Sequence, residues 1–85
     1  MDRLTAMAVF VAVCDANSFA GAARRLGQSP PAVTRIVTAL EAHLGVRLLQ
    51  RTTRSLHITE AGARYLEAAR RVLAEADAAD ENARG

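Results

Sequence analysis

Four stretches of the chain place apolar residues at helical spacing, and one stretch between them does not. Over residues 3–15, Leu4, Met7, Phe10, Val11 and Cys14 fall on one face of a helix. Over 19–26, Phe19, Ala22, Ala23 and Leu26 do so, and over 30–44 the stripe is Val33, Val37, Leu40 and Leu44. A fourth run extends from Thr59 to about Asn82. There Tyr65, Ala69, Val72, Ala76, Ala79 and Ala83 recur at alternating steps of four and three, a heptad seam of mostly small side chains that Leu66 and Leu73 widen in its first half. Between Gly45 and Thr59 the period changes. Leu56 and Ile58 alternate with His57, which predicts two short strands, within 47–51 and 56–58, around a polar tip.

The punctuation agrees with this pattern. Asp2, Ser18, Ser29 and Thr59 stand where a side-chain oxygen caps a helix start, and Gly27 and Gly45 where a left-handed residue ends one. Pro30 and Pro31 follow Ser29, and proline is welcome in the first helical turn, whose N–H groups have no intrahelical partner. The remaining N–H groups and partial positive charge of such a terminus favour approach to phosphate. The turn Gly27-Gln28-Ser29 separates a short, alanine-rich helix from the helix at 30–44, and small side chains let two helices cross closely. The predicted fold is mainly α: a winged helix-turn-helix with a three-helix core and a two-stranded wing over 1–58, then a long dimerising linker helix over 59–85. A helix of roughly 20 residues reaches about 30 Å. Part of its stripe can lie on the body, and a second copy of the chain is expected to cover the far end.

Charge decides what such a fold would bind. The 85 residues carry 11 arginines, no lysine and a net charge of +2. That small total hides +4 over residues 1–58 and −2 over 59–85, and within 24–54 six arginines face one acid, Glu41. Such a block favours an anionic partner. In a winged helix-turn-helix the third helix enters the major groove of double-stranded DNA, its first residues at the base edges. The candidate DNA-binding set is therefore Ser29, Pro30, Pro31, Thr34, Arg35 and Thr38 on that helix, and Arg51, Thr52 and Arg54 on the wing. Arg35 can bond guanine or clamp phosphate, the threonines can bond base edges or offer methyls to thymine, and the wing can reach flanking backbone or minor groove. The candidate dimerisation set is Tyr65, Leu66, Ala69, Val72, Leu73, Ala76 and Ala79.

Catalysis finds little support. His43, near a helix C-terminus, and His57, on a strand, are the only histidines, and Cys14 lies in an apolar stripe. No zinc set, phosphate loop or metal-ligand spacing is present, so neither metal nor cofactor is expected. A protein-interaction adaptor could share the heptad helix but has no need of the basic block. The longest apolar run, Ala6–Cys14, is nine residues, too short to span a bilayer, and a lone cysteine fits a reducing compartment; the expected location is the cytoplasm.

The chain resembles the N-terminal DNA-binding domain of LysR-type transcriptional regulators over essentially its whole length. The resemblance is carried by Phe10 and Val13, Ser18-Phe19, Ala22-Ala23-Arg24-Arg25-Leu26, Ser29, Pro31-Ala32-Val33-Thr34-Arg35 and Leu40-Glu41. It continues through Leu44-Gly45-Val46, Leu48, Arg51-Thr52-Thr53-Arg54 and Ile58-Thr59-Glu60-Ala61-Gly62. It implies a bacterial regulator whose linker helix pairs antiparallel with its partner's, and which binds an interrupted inverted repeat near a promoter. It also implies a homodimer or tetramer in the full-length protein, and a small-molecule effector bound by a C-terminal domain absent from these residues. Three positions depart from the family pattern: Pro30 replaces a glutamine that often touches bases, Ile36 a polar residue, and Leu49 a phenylalanine.

Overall fold

The computed structural model describes residues 1–52 and 55–85. Helices α1 (Arg3–Ala16), α2 (Phe19–Leu26) and α3 (Pro30–Leu44) are followed by strands β1 (Leu49–Arg51) and β2 (Leu56–Ile58) and by helix α4 (Glu60–Arg84). The strands pair antiparallel, Leu49 opposite Ile58 and Arg51 opposite Leu56. This is the winged helix-turn-helix with a long terminal helix that the pattern predicts.

Each helix opens on a side-chain cap. Asp2 Oδ1 accepts from the Leu4 N–H at 3.1 Å, Ser18 Oγ from Gly21 at 2.7 Å, Ser29 Oγ from Ala32 at 3.3 Å, and Thr59 Oγ1 from Gly62 at 2.9 Å. Gly27 and Gly45 close α2 and α3 in the left-handed region, at φ 66° and 73°. Asn17 does the same for α1 at φ 52°, a stop that the glycine pattern does not mark.

The core joins Ala6, Val9, Phe10 and Val13 of α1 to Ala22 and Ala23 of α2, Val33, Val37 and Leu40 of α3, and Leu48 and Leu49 beside the wing. The α2 and α3 stripes lie as expected, except that Leu44 is exposed at the end of α3. The α1 stripe is rotated. Leu4 is 47% exposed, while Ala6, Val9 and Val13 are buried. Ala6–Cys14 is apolar on every side, so spacing alone leaves its phase open. Packing fixes it, because α1 touches α2, α3 and α4 at once.

The predicted seam of α4 divides in two. Tyr65 packs its ring edge-on to Phe10, centroids 5.7 Å apart, Leu66 lies against the core, and Ala69 is buried within the single chain. Arg70 pairs with Asp15 of α1 at 2.7 Å. Tyr65, Leu66 and Ala69 thus pack on the chain's own body, Tyr65 and Leu66 remaining half-buried. Beyond them Val72 is exposed, Leu73 and Ala76 are half-buried, and Ala79 and Ala83 are exposed. The longest axis of the molecule is 48 Å against 26 and 21 Å for the others.

Candidate nucleic-acid interface

The start of α3 is capped by Ser29. Ser29 is extended at φ −80°, ψ 150°, the conformation required both of an N-cap and of a residue before proline. Pro30 and Pro31 have no N–H, the Ala32 N–H bonds Ser29 Oγ, and the Val33 N–H bonds the Ser29 carbonyl at 3.2 Å. The expectation of N–H donors for phosphate is therefore corrected at residues 30–33: two positions lack the donor and two use it locally. Anion attraction here rests on the helix dipole and on side chains.

Along α3, Arg35 and Thr38 are exposed while Thr34 is half-buried. Arg35 stands toward the start of α1, sharing a groove of ≈350 Å³ with Met1 and Ile36. Thr38 stands toward the wing, in a cavity of ≈250 Å³ that Phe19, Glu41, Arg47 and Arg51 also line. The Arg51 guanidinium lies 4.4 Å from the centre of the Phe19 ring, a cation–π contact joining the wing to the first turn of α2. Thr52 braces the wing tip: its N–H donates to the Ser55 carbonyl at 2.9 Å, and its hydroxyl accepts from the Ser55 N–H at 3.0 Å. The Ser55 hydroxyl in turn meets His57 Nε2 at 2.9 Å. Arg54 and Thr53 lie outside the described residues. The fold thus brings Thr38 and Arg51 to one cleft, sets Arg35 one turn earlier, and engages Ser29 and Thr52 in local bonds.

Residues 4–63 match the model of the bacterial regulatory helix-turn-helix proteins of the lysR family. The chain belongs to this family. It is 48% identical over 85 residues to an HTH-type transcriptional repressor of Pseudomonas aeruginosa, covering all of this chain and 27% of that protein. It spans about a quarter of the length of the curated relatives it matches. The DNA-binding domain of CbnR, solved as a DNA complex, superposes with a TM-score of 0.93 at 43% identity, covering 99% of this chain and 95% of that one. The BenM DNA-binding domain on its catB site 1 DNA also gives 0.93, at 31% identity, covering 99% and 93%. The fold is that of the DNA-binding domains of LysR-family regulators.

Two residues hold this LysR-family wing in place, and hydrophobic patterning identifies neither role. Glu41 is the lone acid of the basic block, and its side chain is only 12% exposed. Its Oε2 accepts from the N–H groups of Leu48 at 2.7 Å and Leu49 at 3.1 Å. Leu48 also accepts, through its carbonyl, from the Thr59 N–H at 3.0 Å. The Thr59–Leu48 bond continues the pairing of the wing one step beyond Leu49 and Ile58, and Glu41 takes the N–H groups on the other edge. Gly62 meets the same carbonyl from α4: a Cβ there would fall on the Leu48 oxygen and 2.8 Å from Ile58 Cγ1.

The thiol of Cys14 is pushed up to about 11, first by burial and then by the negative charge of Asp15, with Arg70 opposing. Among the described residues, no group of three or more His, Cys, Asp or Glu could hold a metal ion, and no helix is long and apolar enough to cross a membrane.

Proposed function

We propose that this chain reads double-stranded promoter DNA as a homodimer, as part of a bacterial LysR-type regulator in the cytoplasm. Helix α3 enters the major groove with Pro30, Pro31, Thr34, Arg35 and Thr38 on the entering side. The wing, with Arg51, Thr52 and Arg54, lies on the flanking backbone or in the minor groove. The observation that carries this reading is the shared face: Thr38 of α3 and Arg51 of the wing open on one cleft, with Arg35 one turn away.

Two copies joined through the outer half of α4 place two α3 helices on the half-sites of an interrupted inverted repeat. Val72, Leu73, Ala76 and Ala79 supply that contact. In a full-length protein the same dimer can be built into a tetramer, and a small-molecule effector acts through a C-terminal domain outside these residues. The role is binding, not catalysis. Cys14 is held as the neutral thiol and so lacks the thiolate a nucleophile needs.

The test is selection of duplexes from a random pool at low and at moderate salt. An enriched inverted repeat that survives moderate salt is the expected result. Binding without enrichment, lost as salt rises, would leave only backbone contacts and defeat the base-reading role.

A further inference from the structure

Residues 30–33 at the leading edge of α3 offer DNA no free N–H and no polar side chain. Pro30 and Pro31 have no N–H, and those of Ala32 and Val33 are bonded to Ser29. Ser29 Oγ is itself the cap acceptor for Ala32. Pro30 and Pro31 are both exposed, whereas the methyl of Ala32 is half-buried. Behind the exposed capping Ser29, the first turn presents a pair of rigid hydrocarbon rings, and the first exposed polar side chain within α3, Arg35, lies more than a turn further on.

A base edge read by such a surface must supply an apolar group. In the major groove only one base does: thymine, through its C5-methyl. Pro30 occupies the first helical position and Pro31 the second. A proline ring also suits this contact, since it has little rotamer freedom to lose on binding.

We propose that Pro30 is a specificity residue that reads one thymine of each half-site by packing its ring on the C5-methyl. This rests on the placement of α3 in the major groove. The cost of a wrong base follows from lost apolar contact and from stranding that base's polar groups against a ring that cannot bond them.

The experiment uses the 85-residue chain and the duplex enriched in selection, with each thymine of a half-site replaced in turn by deoxyuridine, which removes the methyl and nothing else. At one position affinity is expected to fall roughly fourfold, the scale of one methyl group leaving a buried contact. Pro30→Gln is expected to bind the thymine and uracil duplexes equally at that position. Indifference of the native chain to every replacement would overturn the proposal while leaving groove reading intact. A uracil penalty that persists unchanged in Pro30→Gln would also overturn it, by assigning the methyl contact to another side chain. Failure to prefer the selected duplex over a scrambled one at moderate salt would defeat the placement of α3 itself. The native-chain measurement stands alone if the variant folds poorly.

Discussion

Arg51 carries a charge that any wing arginine would carry, but its position is particular. Phe19 holds the guanidinium at 4.4 Å from its ring, so the charge is positioned by the chain itself. Preorganisation and charge can be separated by salt. Phe19→Leu is expected to weaken DNA binding roughly two- to fivefold, the worth of one exposed cation–π contact, while the slope of affinity against salt stays unchanged. Arg51→Ala should lower both affinity and slope, the slope by about 0.9 for one phosphate contact. Binding isotherms at several salt concentrations check this, and an altered slope in Phe19→Leu would refute the positioning role. Cys14 shows the opposite use of environment, since burial and Asp15 suppress its ionisation. With the thiol pushed up to about 11, iodoacetamide at pH 8 should label the native chain far more slowly than the unfolded one; rapid native labelling would contradict it.

The elements meet at Leu48, where α3, the wing and α4 share one stretch of backbone. Glu41 accepts the N–H groups of Leu48 and Leu49, Thr59 bonds the Leu48 carbonyl, and Gly62 leaves room for that carbonyl. Gly62→Ala should therefore destabilise the fold by about 1–3 kcal/mol, because the opposing atom is backbone and cannot swing aside. Glu41→Ala strands two N–H groups and should cost a similar ~1–3 kcal/mol. In the Glu41 variant, hydrogen exchange at Leu48 and Leu49 should rise before that of the helical core; uniform exchange would mean that Glu41 does not anchor the wing. Local signals made much of this level legible. Four caps, two glycine stops and the alternation at Leu56–Ile58 each depend on near neighbours in the chain. What escaped them depends on distant ones. The phase of α1 is set by three helices packing on it, the anchoring of Leu48 by a carboxylate seven residues earlier, and the inner face of α4 by Phe10. The candidate site was legible to the same extent: Arg35 and Thr38 follow from the α3 stripe, while the Phe19–Arg51 contact and the exhausted N–H groups at 30–33 emerge only from the assembled chain.

At the scale of the molecule, α4 is a lever whose inner half is fixed to the DNA-reading body and whose outer half stands clear of it. The Asp15–Arg70 pair lies where the helix leaves the body, at 2.7 Å, and the hydrogen bond from Arg70 holds the Asp15 carboxyl below its ordinary 3.8. A lowered carboxylate value contributes stability that is present above the ordinary range and is lost as the pH falls through the lowered value. The Tm of Asp15→Asn should thus lie below that of the native chain at pH 7, and the gap should close in acid below 3.8. A gap that persists there would show that the asparagine acts through packing alone. The same pin bears on DNA spacing. In the proposed dimer, two copies joined through the outer half of α4 would carry their α3 helices at a separation set by the angle at which each α4 leaves its body. Loosening that angle should leave contacts within a half-site untouched and broaden the set of spacers tolerated between half-sites. On duplexes whose half-sites are moved apart one base pair at a time, Asp15→Asn is expected to lose less affinity per step than the native chain at neutral pH. An identical spacer profile for the two proteins would mean that the angle is held by Tyr65, Leu66 and Ala69 without the ion pair.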